Sequence, residues 1–303
     1  MSSYLGQNFL VDSKAKLYIR DLSYKFKTKY NLTNCIEIGP GKWAITKLIQ
    51  PIFNKEFWAI EKDSTFKPLL KELIGNNLIF DDVLQVDFSK EFTFNLTSTL
   101  LYGSLPYYIT SPIIRKLFLP NDTTSSPNEW KKIQWLANNT INIAPSLSGG
   151  ESWWGSISYG IFIVQKEFAE KIETNAKKKS YLRWLLNHNH IVTYHKKIPA
   201  KWFLPAPKVD SAIISIIPWI KQEINYRKLL LILDKISWFK RKTIGKIIKI
   251  LEKSMSNRVL LPSEREAIDY KYNTIKTITK KRIEELSWEE MRSLVEYLDC
   301  KIY

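Results

Sequence analysis

Four short apolar runs fill the first part of the chain, and each stops in reactive or conformationally special residues. They read NCIEIGPG at 34–41, FWAIEKD at 57–63, NLIFDDVL at 77–84 and TSTLLYG at 97–103. Helical segments follow the first two: AITKLIQPIF, which is expected to stop at Pro51, and KPLLKELI. Strands alternating with helices at this spacing predict an α/β fold built on a doubly wound parallel sheet. In such a sheet the carboxyl ends of the strands share one edge, and that edge is where nucleotide ligands bind. Here the ends carry Gly39 and Gly41, then Glu61, then Asp82, then the turn GSLPYYITSP at 103–112.

The rest of the chain extends this frame. Residues 14–30 place Leu17, Ile19, Leu22 and Phe26 near a 3.6-residue period, with Asp12 and Ser13 available as caps, which predicts a first helix. Between about 120 and 160 the composition shifts to Asn, Ser, Thr, Pro, Gly and Trp, as in a long loop or small insertion. YGIFIVQKEFAEKI then resumes strand and helix, and IVTYHKK and SAIISIIPW alternate like strands that finish the sheet. From Tyr226 onward the texture is helical, with a capping box at Ser287–Glu290. The expected organisation is therefore a Rossmann-like domain over 1–220, carrying the insertion, and a small helical domain over 221–303.

The formal net charge of +16 over 303 residues calls for a polyanionic partner. With no apolar run of ~18 residues and no basic-then-apolar leader at the N-terminus, nucleic acid fits better than a membrane. A cytoplasmic protein is expected. Lys242, Lys246, Lys249 and Lys253 fall on one face of a helix whose opposite face carries Ile244, Ile247, Ile248 and Leu251. Four like charges on one face repel unless phosphate is near, so this stripe is the expected RNA contact. Lys177–Lys179 read as an exposed loop, and Trp153 and Trp154 in the insertion either stack on RNA or anchor the loop. Cys35 and Cys300 lack metal or disulfide spacing, and His188, His190 and His195 lack cysteine or paired-acid neighbours, so no metal is expected.

The strand ends suggest a nucleotide-like ligand. Glycines at 39 and 41 before a helix offer backbone N–H groups. Glu61, 22 residues after Gly39, can accept from both ribose hydroxyls, and Asp82 from an adenine amine. Taken singly, each is an ordinary turn glycine or solvated acid, and the ordered set carries the argument. The glycine turn lacks the third glycine of GxGxxG, and the fourth strand delivers a Ser-Leu-Pro-Tyr turn. Both features favour S-adenosylmethionine over a dinucleotide.

Gly6–Asp12 (GQNFLVD), EIGPG at 37–41, Glu61, Asp82, the 103–112 turn, QKEFAEK at 165–171 and FLPAPKVDS at 203–211 occur in an order and spacing that resembles the small-subunit ribosomal RNA adenine dimethyltransferases. Trp238–Thr243 (WFKRKT) is similar to that family's basic segment. The resemblance spans the chain apart from the insertion. It implies a monomer that acts on small-subunit rRNA in a ribosomal precursor particle, dimethylating N6 of two adjacent adenosines near the 3′ end with S-adenosylmethionine as donor. It further implies that Asn8, Leu10, Gly39, Gly41, Glu61, Asp82 and Ser104 bind the cofactor. Ser104, Leu105, Pro106 and Tyr107 would form the catalytic turn, and Phe203 the ring closing on an extruded adenine. Arg241, Lys242, Lys246, Lys249 and Lys253 would hold rRNA. Two positions depart from the family pattern: Lys42 and Trp43 follow Gly41, so that Trp43 either packs beneath the turn or crowds the cofactor, and Ser104 stands where Asn is usual. The second departure leaves a catalytically impaired assembly factor as an alternative, and a large-subunit rRNA methyltransferase is a third reading.

Overall fold

The computed structural model describes residues 7–119, 159–176, 180–219, 224–239, 241–254 and 271–302. The 120–158 part of the expected insertion, with Trp153 and Trp154, and the loop at Lys177–Lys179 lie outside the described residues. The chain divides into two compact units.

The first unit holds one seven-stranded sheet. Its strands are β2 (Asn34–Ile38), β3 (Phe57–Glu61), β4 (Leu78–Phe80), β5 (Thr99–Ser104), β6 (Tyr159–Gln165), β7 (His190–Ile198) and β9 (Ser211–Pro218). Their order is β4-β3-β2-β5-β6-β9-β7. A separate two-stranded ribbon pairs β1 (Phe9–Leu10) with β8 (Phe203–Leu204), antiparallel. The pairs from β4 through β6 are parallel, as the alternating pattern predicted, and order reverses between β2 and β5. The strands that finish the sheet, whose direction the sequence pattern left open, include β9, which runs antiparallel to both β6 and β7. No described α-helix of crossover length lies between β7 and β9, and a parallel connection needs one.

Burial explains the strand composition. All five residues of β2 are buried, as expected where helices cover both faces. On one face α1 (Ser13–Tyr30) and α2 (Thr46–Phe53) supply Ala15, Ile19, Phe26, Ile49 and Phe53 to a core with Cys35, Phe57, Ala59, Leu100, Tyr102 and Ile161. Each large aliphatic side chain buried there contributes roughly 1.5–3 kcal/mol. Asp12 caps α1 by accepting the Ala15 N–H at 2.7 Å. The predicted apolar stripe is shifted, however: Leu17 is 40% exposed while Ala15 and Ser23 are buried. Helix α2 also runs through Pro51, ending at Phe53. A proline this close to a helix C-terminus removes one hydrogen bond and leaves the turns before it intact.

Helices α3 (Lys67–Ile74), α4 (Phe88–Glu91), α5 (Thr110–Phe118) and α6 (Lys166–Ile172) complete this unit. Phe118 of α5 packs edge-on to Phe162 of β6, with centroids 5.9 Å apart.

The second unit is helical. It contains α7 (Tyr181–Asn189), α8 (Tyr226–Ile236), α9 (Ile244–Ser254) and α10 (Trp288–Ile302). Helix α7 belongs here although its sequence position precedes β7, which the single boundary near 220 does not anticipate. Trp184 stacks on Trp288 at 5.2 Å, and His188 Nε2 lies 2.6 Å from the Ile224 carbonyl oxygen. The capping box before α10 is present: Ser287 Oγ accepts from the Glu290 N–H at 3.1 Å, and the Glu290 carboxylate accepts from the Ser287 N–H at 2.7 Å. Among the described residues no helix is long and apolar enough to cross a membrane.

Candidate functional site

One cavity opens at the carboxyl edge of the parallel strands. Asn8, Leu10, Gly39, Gly41, Glu61, Asp82, Ser104, Leu105, Pro106, Tyr107 and Phe203 all line it. The structure thus brings every residue singled out for cofactor or catalysis to one place.

The glycine turn forms because β2 must leave the sheet abruptly. Gly39 and Gly41 have φ of +68° and +53°, where a side chain would be strained. A Cβ on Gly39 would meet nothing within 4 Å, so this glycine faces open space. A Cβ on Gly41 would lie 2.8 Å from the Phe9 ring. The N-terminal segment therefore lies directly on the turn. Gln7 fastens it by donating to Asp63 at 2.8 Å, and the Lys42 ammonium sits 4.8 Å from the Phe9 ring centre. Trp43 also has positive φ, +55°, and its ring lies beneath the Lys47 ammonium at 4.2 Å. It is not among the cavity-lining residues, so the bulk that replaces a small residue is turned away from the ligand space.

Glu61 ties the turn to the end of β3. One carboxylate oxygen accepts the Gly41 N–H at 3.0 Å and the other the Asp63 N–H at 2.8 Å. Burial raises its pKa, against the pull of those two N–H groups. Each oxygen keeps a second lone pair for a ligand hydroxyl. Asp82 lines the cavity but is partly engaged: Oδ2 pairs with Lys62 at 2.8 Å and Oδ1 accepts the Leu84 N–H at 2.9 Å. Burial raises its pKa, yet Lys62 and the Leu84 N–H outweigh this and hold it below the ordinary value.

The turn after β5 is stiff at its base. The Leu105 N–H donates to the Ile163 carbonyl at 2.9 Å, and the Pro106 carbonyl accepts from the Ile109 N–H and the Thr110 hydroxyl at 3.2 and 2.9 Å. Tyr107 is held by a hydrogen bond between its hydroxyl and Ser211 Oγ at 2.6 Å. Phe203 reaches the cavity from β8, registered opposite Leu10 of β1, so the N-terminal segment and the Phe203 segment are hydrogen-bonded neighbours.

Glu37 is a cavity residue to which the sequence reading gave no role. It is fully buried on β2, with a pKa pushed up by burial to about 8, the Thr46 hydroxyl lowering it and the Glu61 charge adding to the rise. Its Oε2 has no hydrogen-bond partner. The available signal was a carboxylate inside an otherwise apolar strand, directly before the glycines. Tyr102, its register neighbour on β5, also lines the cavity with an unpartnered hydroxyl.

The cavity fits S-adenosylmethionine on these observations. Open space at Gly39, carboxylate acceptors at Glu61 and Asp82, and the unpartnered Glu37 oxygen make an acceptor-rich lining suited to a ribose, an adenine amine and a cationic methionine end. It is unsuited to a pyrophosphate.

The predicted RNA contacts lie in the second unit. Arg241, Lys242, Lys246, Lys249 and Lys253 are exposed, and the opposite face of α9 buries Ile244, Ile247 and Ile248. Trp238, a residue not singled out from sequence for RNA, is 87% exposed beside this face. The histidines serve structure: His195 Nε2 is 2.7 Å from Ser215 Oγ, His190 packs on Phe118, and His188 and His190 are buried. Among the described residues no group of His, Cys, Asp and Glu could hold a metal ion.

Comparison with known proteins bears on the chain as a whole. The family described as Ribosomal RNA adenine dimethylase matches residues 1–299. A ribosomal RNA small subunit methyltransferase A of Metamycoplasma arthritidis is 30% identical over 298 residues, covering 97% of this chain and 94% of that protein. Two solved structures share the fold: a dimethyladenosine transferase from Plasmodium falciparum (TM-score 0.63, 22% identity, 96% of this chain and 98% of that one) and the 23S rRNA methyltransferase ErmE (TM-score 0.61, 19% identity, 96% and 100%).

Proposed function

The chain belongs to the ribosomal RNA adenine dimethylase family, and on that premise we propose that it dimethylates N6 of two adjacent adenosines near the 3′ end of small-subunit rRNA, with S-adenosylmethionine as methyl donor. The observation that carries this reading is the convergence of Gly39, Glu61, Asp82, the 104–107 turn and Phe203 on one cavity. Homology over nearly the full chain to a small-subunit methyltransferase supports that substrate over large-subunit rRNA.

In this reading Gly39 and Gly41 let the backbone approach the cofactor, Glu61 accepts from its ribose, Asp82 from its adenine, and Asn8 and Leu10 cover its methionine end. S-adenosylmethionine supplies an electrophilic methyl group on a sulfonium. The chain's task is alignment, since an adenine amine is a weak nucleophile with its lone pair delocalised into the ring. The Ser104 hydroxyl and the carbonyl of Leu105 accept from the amine hydrogens and favour its reactive, pyramidal geometry. Pro106 stiffens the turn, and the rings of Tyr107 and Phe203 hold the extruded base. The exposed cations Arg241, Lys242, Lys246, Lys249 and Lys253 bind rRNA phosphates. The protein acts as a monomer on a precursor particle in the cytoplasm.

The test is incubation of undermethylated small subunits with labelled S-adenosylmethionine, followed by analysis of the adenosines. Label in N6-dimethyladenosine of small-subunit rRNA is expected. Cofactor binding without transfer would leave an assembly factor, and label in large-subunit rRNA would move the substrate. Ser104→Asn should keep or raise the rate, because the amide offers an acceptor of longer reach; a clear loss counts against the assigned turn.

A further inference from the structure

Ser211 opens β9 and is fully buried. It is registered with Gln165 of β6 on one side and Ile198 of β7 on the other, so its backbone is fixed from both flanks. Its hydroxyl meets the Tyr107 hydroxyl at 2.6 Å across 104 residues of chain. The turn bearing Tyr107 is tied down only at its base, and the adjacent Tyr108 is 62% exposed. Stacking on a base uses the ring and does not need its hydroxyl, so the tyrosine hydroxyl is free to serve as an anchor.

Asp210, the residue before Ser211, holds the other ring. Its Oδ1 accepts the Ala200 N–H at 2.9 Å, its Oδ2 pairs with Lys197 at 2.7 Å, and its carbonyl accepts the Lys166 N–H at 2.9 Å. Ala200 begins the short 3₁₀ turn Ala200–Trp202 that delivers Phe203. The ion pair is half exposed and worth little; the bond to the Ala200 N–H fixes the segment.

We propose that Asp210 and Ser211 are positioning residues for the adenine site, Ser211 setting the plane of the Tyr107 ring and Asp210 setting the segment that presents Phe203. The proposal rests on Tyr107 and Phe203 being the walls that hold the base. Burial raises the Tyr107 pKa, which keeps the phenol neutral and able to donate. Both rings are then referenced to the start of a single strand, and neither side chain of the pair needs to touch substrate.

The experiment compares Ser211→Ala, Tyr107→Phe and the double variant, using RNA with 2-aminopurine at the target adenosine. Each single change should lower kcat about 10-fold, as expected for a loosened reacting geometry. Cofactor affinity and the thermal midpoint should stay close to wild type. The double variant should be no worse than the weaker single one, because both remove the same bond. Stacking-dependent quenching of 2-aminopurine should weaken in all three. Asp210→Ala should lower kcat with the same optical signature, whereas Asp210→Asn, which keeps the acceptor for Ala200, should retain most activity. Tyr107→Phe tests the bond from the other side should Ser211→Ala fold poorly. Unchanged kcat and quenching in Tyr107→Phe, or additive losses in the double variant, would overturn the proposal. Tyr107→Ala separates the two levels: full activity there would sink the base-wall reading itself, while loss of activity in Tyr107→Ala alone would sink only the positioning role.

Discussion

The strand-end cavity of the first unit and the basic face of α9 in the second handle charge in opposite ways. The cavity buries its carboxylates: Glu37 is 3% exposed and Glu61 6%, each constrained by backbone or by the absence of a partner. The helix face leaves Lys246 and Lys249 in water, over a buried isoleucine seam. Charges in a low-dielectric site respond to protons, because moving or neutralising them is costly. Exposed cations respond to salt, because screening and counterion release govern what they bind. The first region should therefore be sensitive to pH and to single atoms, the second to ionic strength and to the number of charges.

The strongest way to break that contrast is Glu37→Gln. The folded-state pKa of Glu37 is raised from 4.5 to about 8, so the folded protein holds a proton that the unfolded chain has released. Stability is then fully present below about pH 4.5 and falls as pH rises toward 8. The loss is on the order of 5 kcal/mol at 1.36 kcal/mol per pKa unit. Glu61, also raised, adds to the slope, while His195, lowered by burial, opposes it near its ordinary value of 6.5. Glu37→Gln, uncharged at every pH, should flatten the curve and be more stable than wild type at pH 8.5. Urea denaturation midpoints from pH 5.5 to 8.5 measure it. An unchanged slope would mean that the buried carboxylate is already ionised in the native state.

These two regions were also unequally legible from sequence. The basic stripe, the Asp12 cap and the Ser287–Glu290 capping box are local patterns, and local periodicity reports them directly. Gly39, Glu61 and Asp82 were readable because consecutive strands end at one edge, which turns sequence order into spatial order. Partners brought together from distant segments were not readable. The β1–β8 ribbon joins Leu10 to Phe203, and Tyr107 meets Ser211, with nothing in either local sequence to announce the match. The burial of Ala15 and Ser23 in place of Leu17 likewise follows from where α2 and the sheet lie, and propensity does not carry that information. Glu37 was hidden for a different reason: a strand buried on both faces should be apolar throughout, so a functional acid within it reads as noise.

On the helix side, Lys246→Gln combined with Lys249→Gln should weaken binding to small-subunit rRNA roughly 10-fold near physiological salt. The slope of log affinity against log salt should shrink by about 1–2. S-adenosylmethionine affinity should not change, since neither lysine lines the cavity. Filter binding at several salt concentrations checks both terms. A weaker complex with an unchanged salt slope would show that these lysines act through packing and do not contact phosphate, and the contrast between the regions would fail on this side.

The smallest effect is expected at Trp43→Gly, within the cavity unit but outside the cavity. A non-glycine residue at φ +55° carries roughly 1–2 kcal/mol of strain, which glycine relieves. Against this, the Lys47 contact to the half-buried ring is worth about 0.5–1 kcal/mol. Glycine also raises the entropy of the unfolded chain by about 0.4–1 kcal/mol. The terms nearly cancel, so stability should move by no more than about 0.5 kcal/mol, read from the urea midpoint. Cofactor affinity should hold within about two-fold, because the turn is kept in place by the Glu61 bond to Gly41 and by Phe9 against Gly41, both independent of Trp43. A loss of five-fold or more in affinity would show that the tryptophan, and not the buried acid, sets the glycine turn. Charge burial would then no longer distinguish the two regions.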